Sequence, residues 1–135
     1  MAALAGLLFS YRISDANLRA LAATANARAV AEKVVTLDFG TLAGTSLPVD
    51  IPSMPNGSLT VNSWNNRTDD IHNTPSNTVD DLVFGIRPEV AQSNTGSGFA
   101  CSQVIIRYRW DENSFFRTHT REDAITVVVS NVPSY

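Results

Sequence analysis

The sequence predicts a mainly β protein, an antiparallel sheet built as a sandwich or an open sheet, with one N-terminal helix. Short runs of β-branched and aromatic residues recur after residue 33 and are separated by turn residues, which is typical of antiparallel strands. A long helical pattern occurs only before residue 34. The length of 135 residues suits one domain with its own core. We therefore expect a single domain, residues 1–135, with an apolar arm plus helix (1–33) and a β-rich body (34–135).

The helix is predicted to begin at Ser14, because a serine oxygen can cap a helix and Asp15 suits the helix dipole. The alanine content favours a helix, although alternating alanines over residues 23–31 would also suit a strand. Apolar residues that recur at spacings of three and four predict a narrow stripe facing the core. That stripe consists of Leu18, Leu21, Ala22, Ala25 and Ala29.

The residues before the predicted helix are apolar but lack a basic leader, so we interpret them as a packed N-terminal segment and not as a signal peptide. No stretch reaches the roughly 20 apolar residues of a membrane span. Small domains do not normally leave such a cluster in water, so the segment is a candidate subunit contact. Its large apolar residues are Leu4, Leu7, Leu8 and Phe9.

Strands are predicted over residues 34–39, 58–64, 81–87, 102–110, 115–121 and 124–130. Turns are predicted at Pro-Asn-Gly 55–57 and at residues 111–114, and Pro88 is expected to end the third strand. The polar stretches 65–79 and 92–98 are predicted surface loops.

The clearest strand is 102–110, in which apolar and polar residues alternate. If it pairs with the following strand so that Tyr108 opposes Phe116, Arg107 opposes Arg117, and such like charges need an acid nearby. That acid could be a carboxylate of the chain itself, an RNA phosphate or an acidic patch on a neighbouring subunit. The pairing predicts one candidate anion-binding or nucleic-acid-binding face, composed of Arg107, Arg109, Arg117, His119 and Arg121.

Charge and motif content exclude several functions. The net charge of −3 argues against nucleic-acid binding through overall basicity, and the single cysteine, Cys101, excludes a disulfide framework. The only histidines, His72 and His119, lie in no catalytic motif. His72 follows Asp69 and Asp70 and could belong to a metal site, but a solvated loop histidine is favoured. We expect no enzyme activity, no cofactor and no metal.

A small strand-rich domain with long polar loops, an apolar arm and no catalytic motif is typical of particle proteins. The first hypothesis is a non-enzymatic structural protein that self-assembles, a viral or phage coat (capsid) protein of the virion. Its expected partners are copies of itself, and the local arginine face is a candidate contact for RNA. The alternative is a receptor- or glycan-binding module such as a fibre tip, using Trp64, Asn65 and Asn66. A small enzyme of unknown type ranks third.

Overall fold

One long helix precedes six strands in the computed structural model, which describes residues 2–78, 81–94, 100–113 and 118–131. Helix α1 spans Ala2–Val34, and a 3₁₀ turn follows at Thr41–Ala43. A hairpin of β1 (Ser46–Ile51) and β2 (Met54–Thr60) forms one antiparallel sheet. A second antiparallel sheet has the order β3-β4-β5-β6. Its strands are β3 (Asn65–Asp69), β4 (Leu82–Asn94), β5 (Ala100–Asn113) and β6 (Thr118–Asn131). The predicted fold class is confirmed.

Helix α1 is longer than the sequence pattern predicts. It begins at Ala2, so the start predicted at Ser14 is wrong and the apolar arm belongs to the same helix. Residues 2–13 are rich in alanine and leucine and contain no proline, so their propensity favours helix, and Ser14 is simply an exposed helical residue. The strand predicted over 34–39 is also wrong. Val34 is the last residue of α1, fully buried, and the residues after it form turns that bond back to the helix end.

The buried face of α1 is made of small residues and differs from the predicted one. Leu18, Leu21 and Ala25 are exposed, while Ala22 and Ala29 are only partly buried. The prediction gave weight to large apolar residues, but a helix lying close to a sheet accepts small ones at the contact. The residues of this buried face, which we call the alanine face, are Ala23, Ala27, Val30, Ala31 and Val34.

One cluster of buried side chains joins the helix, the hairpin and the larger sheet. Strand β5 alternates as predicted, with Val104, Ile106 and Tyr108 buried. The Tyr108 hydroxyl lies 3.4 Å from the Thr24 hydroxyl of α1, so this ring fills the space between helix and sheet. Helix α1 also contacts β1, and β2 contacts β4, so the helix and the hairpin together cover one face of the larger sheet.

The Pro-Asn-Gly segment is not the turn of the hairpin. Residues 52–53 make the turn, and the segment lies inside β2, where Asn56 has a positive φ of 53° and the register with β1 shifts. The backbone N–H of Asn56 donates a hydrogen bond to the Asp50 carboxylate at 3.0 Å. Asparagine tolerates this conformation, so the turn signal marks a β-bulge.

Several predicted loops and breaks are strand. Residues 65–69 of the predicted polar loop form β3, whereas 70–78 are irregular, and residues 79–80 lie outside the described ranges. Pro88 does not end its strand, because β4 continues to Asn94. Strand β5 extends through residues 111–113, where a turn was predicted. The predicted strand 115–121, of which 115–117 are not described, and the strand 124–130 are parts of one strand, β6. Residues 95–99 and 114 likewise lie outside the described ranges.

The alanine face gives a direct test of this packing. Ala27→Leu adds a branched side chain at a position with 0% exposure and is expected to destabilise the fold by about 1–3 kcal/mol. Asn17→Leu, at an exposed position of the same helix, should change stability by no more than about 0.5 kcal/mol. Urea unfolding at low protein concentration measures both values. Equal effects of the two substitutions would contradict the assigned helix orientation.

Candidate assembly surface

The outward side of α1 carries large apolar residues. Leu7, Leu18 and Leu21 are 68%, 37% and 69% exposed, and Ala25 is exposed as well. Positions 7, 18, 21 and 25 fall on one side of a helix with 3.6 residues per turn and span about 27 Å of its length. We call these four residues the leucine stripe. Single exposed leucines are common on protein surfaces, but three aligned on one side of a helix are a candidate contact surface.

The leucine stripe and the alanine face lie on opposite sides of α1. The alanine face is used within the fold, whereas the depression beside Leu21 and Ala25 is lined by residues of α1 alone. Within the described ranges, no other element covers this part of the stripe. Of the predicted contact residues, Leu7 belongs to the stripe. The backbone of the others is helical, but their side chains lie outside the described part of the structure; they are Leu4, Leu8 and Phe9.

A second apolar feature is the free edge of β6. Strand β6 pairs with β5 on one side, and no described strand pairs with its other side. Within β6, residues 124–130 carry no charge, and we call this run the apolar edge. Its residues Ile125, Val127 and Val129 pack against the core, while Val128, on the other face, is 61% exposed.

The predicted register between β5 and its neighbour is wrong. Arg107 opposes Ala124 instead of Arg117, and Tyr108 opposes Asp123. The register therefore differs by 124 − 117 = 7 residues, an odd number that exchanges the two faces of the second strand. The cause is the extension of β5 through residues 111–113, which moves the hairpin connection further along the chain.

This register divides the predicted arginine group. Arg107 and Arg109 lie on the outer face of the larger sheet, away from α1. Arg121 and His119 oppose Trp110 and Glu112 on the other face. Arg117 lies outside the described residues. The structure therefore brings together only the two arginines of β5.

The like-charge pair that the sequence led us to expect does occur, but with another residue. Arg87 of β4 opposes Arg107 across the sheet. The Glu89 carboxylate lies 3.1 Å from the Nε of Arg107 and 3.4 Å from the Nε of Arg87, so one acid serves both cations. Sequence reasoning missed Glu89, although two residues of one strand that are two apart share a face. Arg121 contacts Glu112 at 2.9 Å, so it too has an acid of the chain itself as its partner.

Arg109 packs beneath an aromatic ring. Its guanidinium carbon lies 4.2 Å from the centre of the Trp64 ring, within the range of a cation–π contact. Gly85 lies opposite Arg109 in the sheet, and a Cβ atom there would come within 3.2 Å of the Arg109 Nε. The glycine thus leaves room for the arginine side chain to lie across the sheet.

The Asn65 side chain has a structural role. The two N–H groups of its amide nitrogen are shared among the carbonyl oxygens of Thr60, Ser63 and Ile86, which lie at 3.0, 2.8 and 3.1 Å. Its amide oxygen accepts from the Thr60 amide at 2.9 Å. One side chain therefore closes the turn between β2 and β3 and attaches it to β4.

His72 binds the helix. Its Nε2 atom lies 3.0 Å from one oxygen of Asp15, and the other oxygen accepts from the Arg19 Nε at 2.9 Å. Arg19 is only 5% exposed and also donates to the Asp81 carbonyl oxygen. These contacts attach residues 70–78 to α1. Among the described residues, no group of three or more histidine, cysteine or acidic side chains is placed to hold a metal ion.

Removing the shared acid should be measurable. Glu89→Gln leaves Arg87 and Arg107 opposed without a full negative charge, and we expect a loss of about 0.5–1 kcal/mol that shrinks at high salt. Asp38→Asn, at an exposed position beyond the end of α1, also removes one negative charge and should be near neutral. Urea unfolding at low and high salt compares the two. A Glu89→Gln effect that is absent at low salt would contradict the role of Glu89.

The role of Asn65 in the turn between β2 and β3 can be tested by comparing substitutions at Asn65 and at its neighbour Asn66. Asn65→Ala removes four hydrogen bonds to backbone groups and should cost about 1–3 kcal/mol of unfolding free energy. Asn66→Ala, at an exposed position, should cost less than about 0.5 kcal/mol. Thermal or urea unfolding measures the difference. Indistinguishable stabilities for the two variants would show that Asn65 does not hold the turn.

No family model, no curated protein and no solved structure matches the chain. Among the described residues, no helix combines the length and the apolar character needed to cross a membrane. The function is therefore inferred from the leucine stripe, the apolar edge and the contacts of the outer face.

Proposed function

We propose that the chain is a non-enzymatic structural protein that assembles with copies of itself, as the coat protein of a virus or phage particle does, and that it is located in the virion. The leucine stripe carries this proposal. It exposes three leucines on one side of a helix whose opposite side is already buried. An apolar patch of this kind marks an interaction site when it is surrounded by polar residues, and Arg28 and Glu32 border it.

The spacing of the stripe suits pairing with another helix. Positions 7, 11, 14, 18, 21 and 25 alternate in steps of four and three, the pattern of two helices that pack along their length. Leucine or alanine occupies four of these positions, and Tyr11 and Ser14 occupy the others. Arg28 is the next position in the series and ends the apolar run. A second copy of α1 presents the same pattern and is the partner that we infer.

The energy of this contact favours a multivalent assembly. Burying a leucine contributes about 1.5–3 kcal/mol, so three from each of two copies contribute at most about 9–18 kcal/mol. Association costs about 4–15 kcal/mol in lost freedom. The stripe alone therefore supports a weak to moderate pair, and a stable particle needs further contacts between subunits.

The other hypotheses gain less support from the described contacts. The Asn65 amide, part of the suggested glycan site, is fully engaged with backbone groups, and Trp64 packs on Arg109. Arg107 and Arg121 each contact an acid of the chain. We therefore include neither a glycan site nor RNA contact in the proposal.

Charge placed in the stripe should weaken the assembly. Leu18→Glu combined with Leu21→Glu puts like charges into the helix contact, and we expect a clear fall in the mass measured by size-exclusion chromatography with light scattering. Circular dichroism should show an unchanged fold, since both side chains are exposed.

Val35→Glu is the matched control, because Val35 is 48% exposed but lies beyond the helix end, away from the stripe. Its assembly should equal that of the wild type. An unchanged mass for the double glutamate variant, in a chain that assembles, would show that the stripe is not the contact.

A further inference from the structure

We propose that β6 pairs antiparallel with β6 of a second copy, about a two-fold axis at Val127, so that two four-stranded sheets join into one of eight strands. This inference rests on the proposed function and names a second subunit contact. The joined order is β3-β4-β5-β6 followed by the same strands of the other copy in reverse.

The edge of β6 has the properties of a pairing strand. It is 14 residues long, and its register with β5 runs from Thr118 to Asn131 without a bulge. Its apolar edge contains neither proline nor lysine, the residues that commonly block such pairing. An unpaired strand of this kind presents a row of backbone N–H and C=O groups to any chain that can align with it.

The opposite edge of the same sheet is protected. Strand β3 is only five residues long and carries Arg67 and Asp69. Beyond its end, Pro88 of β4 has no N–H group, and its carbonyl oxygen accepts from the Asn62 amide at 2.8 Å. Of the two edge strands of this sheet, β6 is therefore the longer and more regular, and its residues 124–130 carry no charge. This asymmetry indicates that β6 is the edge adapted to a partner.

The register follows from the two faces of the sheet. Residues directly opposite each other in an antiparallel pair lie on the same face, so a two-fold pairing of β6 must centre on a residue and not between two residues. Centred on Val127, the pairing places Ile125 against Val129 and Thr126 against Val128. Ala124 then opposes Ser130, and no charges meet within the apolar edge. The paired segments, residues 123–131, would extend for about 30 Å.

Centres nearer the charged residues 121–123 match less well. A pairing centred on Ile125 sets Asp123 against Val127 and Glu122 against Val128. One centred on Glu122 sets that acid against its own copy, which is unfavourable. The apolar edge is thus complementary to itself, and this self-complementarity identifies a second copy as the occupant. The axis stands perpendicular to the sheet, so both copies of α1 lie on the same side and both leucine stripes stay available for helix contacts.

The first test places charge on the exposed side of the edge. Thr126→Lys with Val128→Lys puts lysines opposite lysines across the axis, and we expect the association to weaken at least tenfold, measured by sedimentation of the full chain. The matched control is Thr68→Lys with Val83→Lys. These two residues pair on the same sheet face and are exposed, but they lie away from β6. The control should associate like the wild type, and circular dichroism should show both variants folded.

The second test reads the register directly and uses chains in which Cys101 is replaced by serine. Thr126→Cys and Val128→Cys chains, mixed and oxidised, should form a disulfide-linked heterodimer, since these positions face each other in the proposed pairing. Each single variant oxidised alone should form much less dimer. Equal dimer yields alone and mixed would overturn the register.

The outcomes separate the two proposals. If the lysine variant keeps the wild-type mass while the glutamate variant of the leucine stripe dissociates, self-assembly stands and the β6 pairing is refuted. If the wild type is a monomer at every concentration, the proposed function fails and the β6 pairing fails with it. The pairing is supported if the Thr126→Lys, Val128→Lys variant loses assembly while its control does not. It is supported further if the Thr126→Cys and Val128→Cys chains form the disulfide-linked heterodimer.

Discussion

Close packing of the alanine face of α1 against the larger sheet determines most of this structure. Alanines at 23, 27 and 31 let the helix lie near β5, and Tyr108 fills the space that remains. Because the small residues occupy the inner side, the leucines at 18 and 21 must point outward. The helix therefore contributes one apolar face to the fold and leaves leucines exposed on the opposite side, which is the contact surface that we propose.

The larger sheet likewise has surfaces that are used within the fold and an edge that is left open. One face is covered by α1 and the hairpin, and one edge is closed by a short polar strand and by Pro88. On the outer face, Glu89 lies between Arg87 and Arg107 and offsets part of their positive charge. What remains apolar and open is the β6 edge. The leucine stripe and this edge lie on different elements, so one subunit can use both to join more than one neighbour.

The fold class and the strand 102–110 could be predicted because alternation over nine residues has only one reading at that length. The orientation of α1 could not be predicted, because alanine and leucine recur on two sides of the helix. Which side is buried depends on how closely the helix approaches the sheet. The register between β5 and β6 could not be predicted either. It depends on where the connection after β5 lies, and residues 111–113 resemble a turn in the sequence although they are strand. The arginine face that followed from the wrong register shares that error. Glu89 was overlooked because Pro88 was expected to end the strand, whereas β4 continues to Asn94.

The most direct test of the central claim is the mass of the unmodified chain. Light scattering after size exclusion, over a hundredfold range of protein concentration, compares the particle with a subunit of 14.6 kDa. Self-assembly through apolar surfaces predicts a mass several times that of the subunit, increasing with concentration and with moderate salt. A mass of 14.6 kDa at every concentration would contradict it.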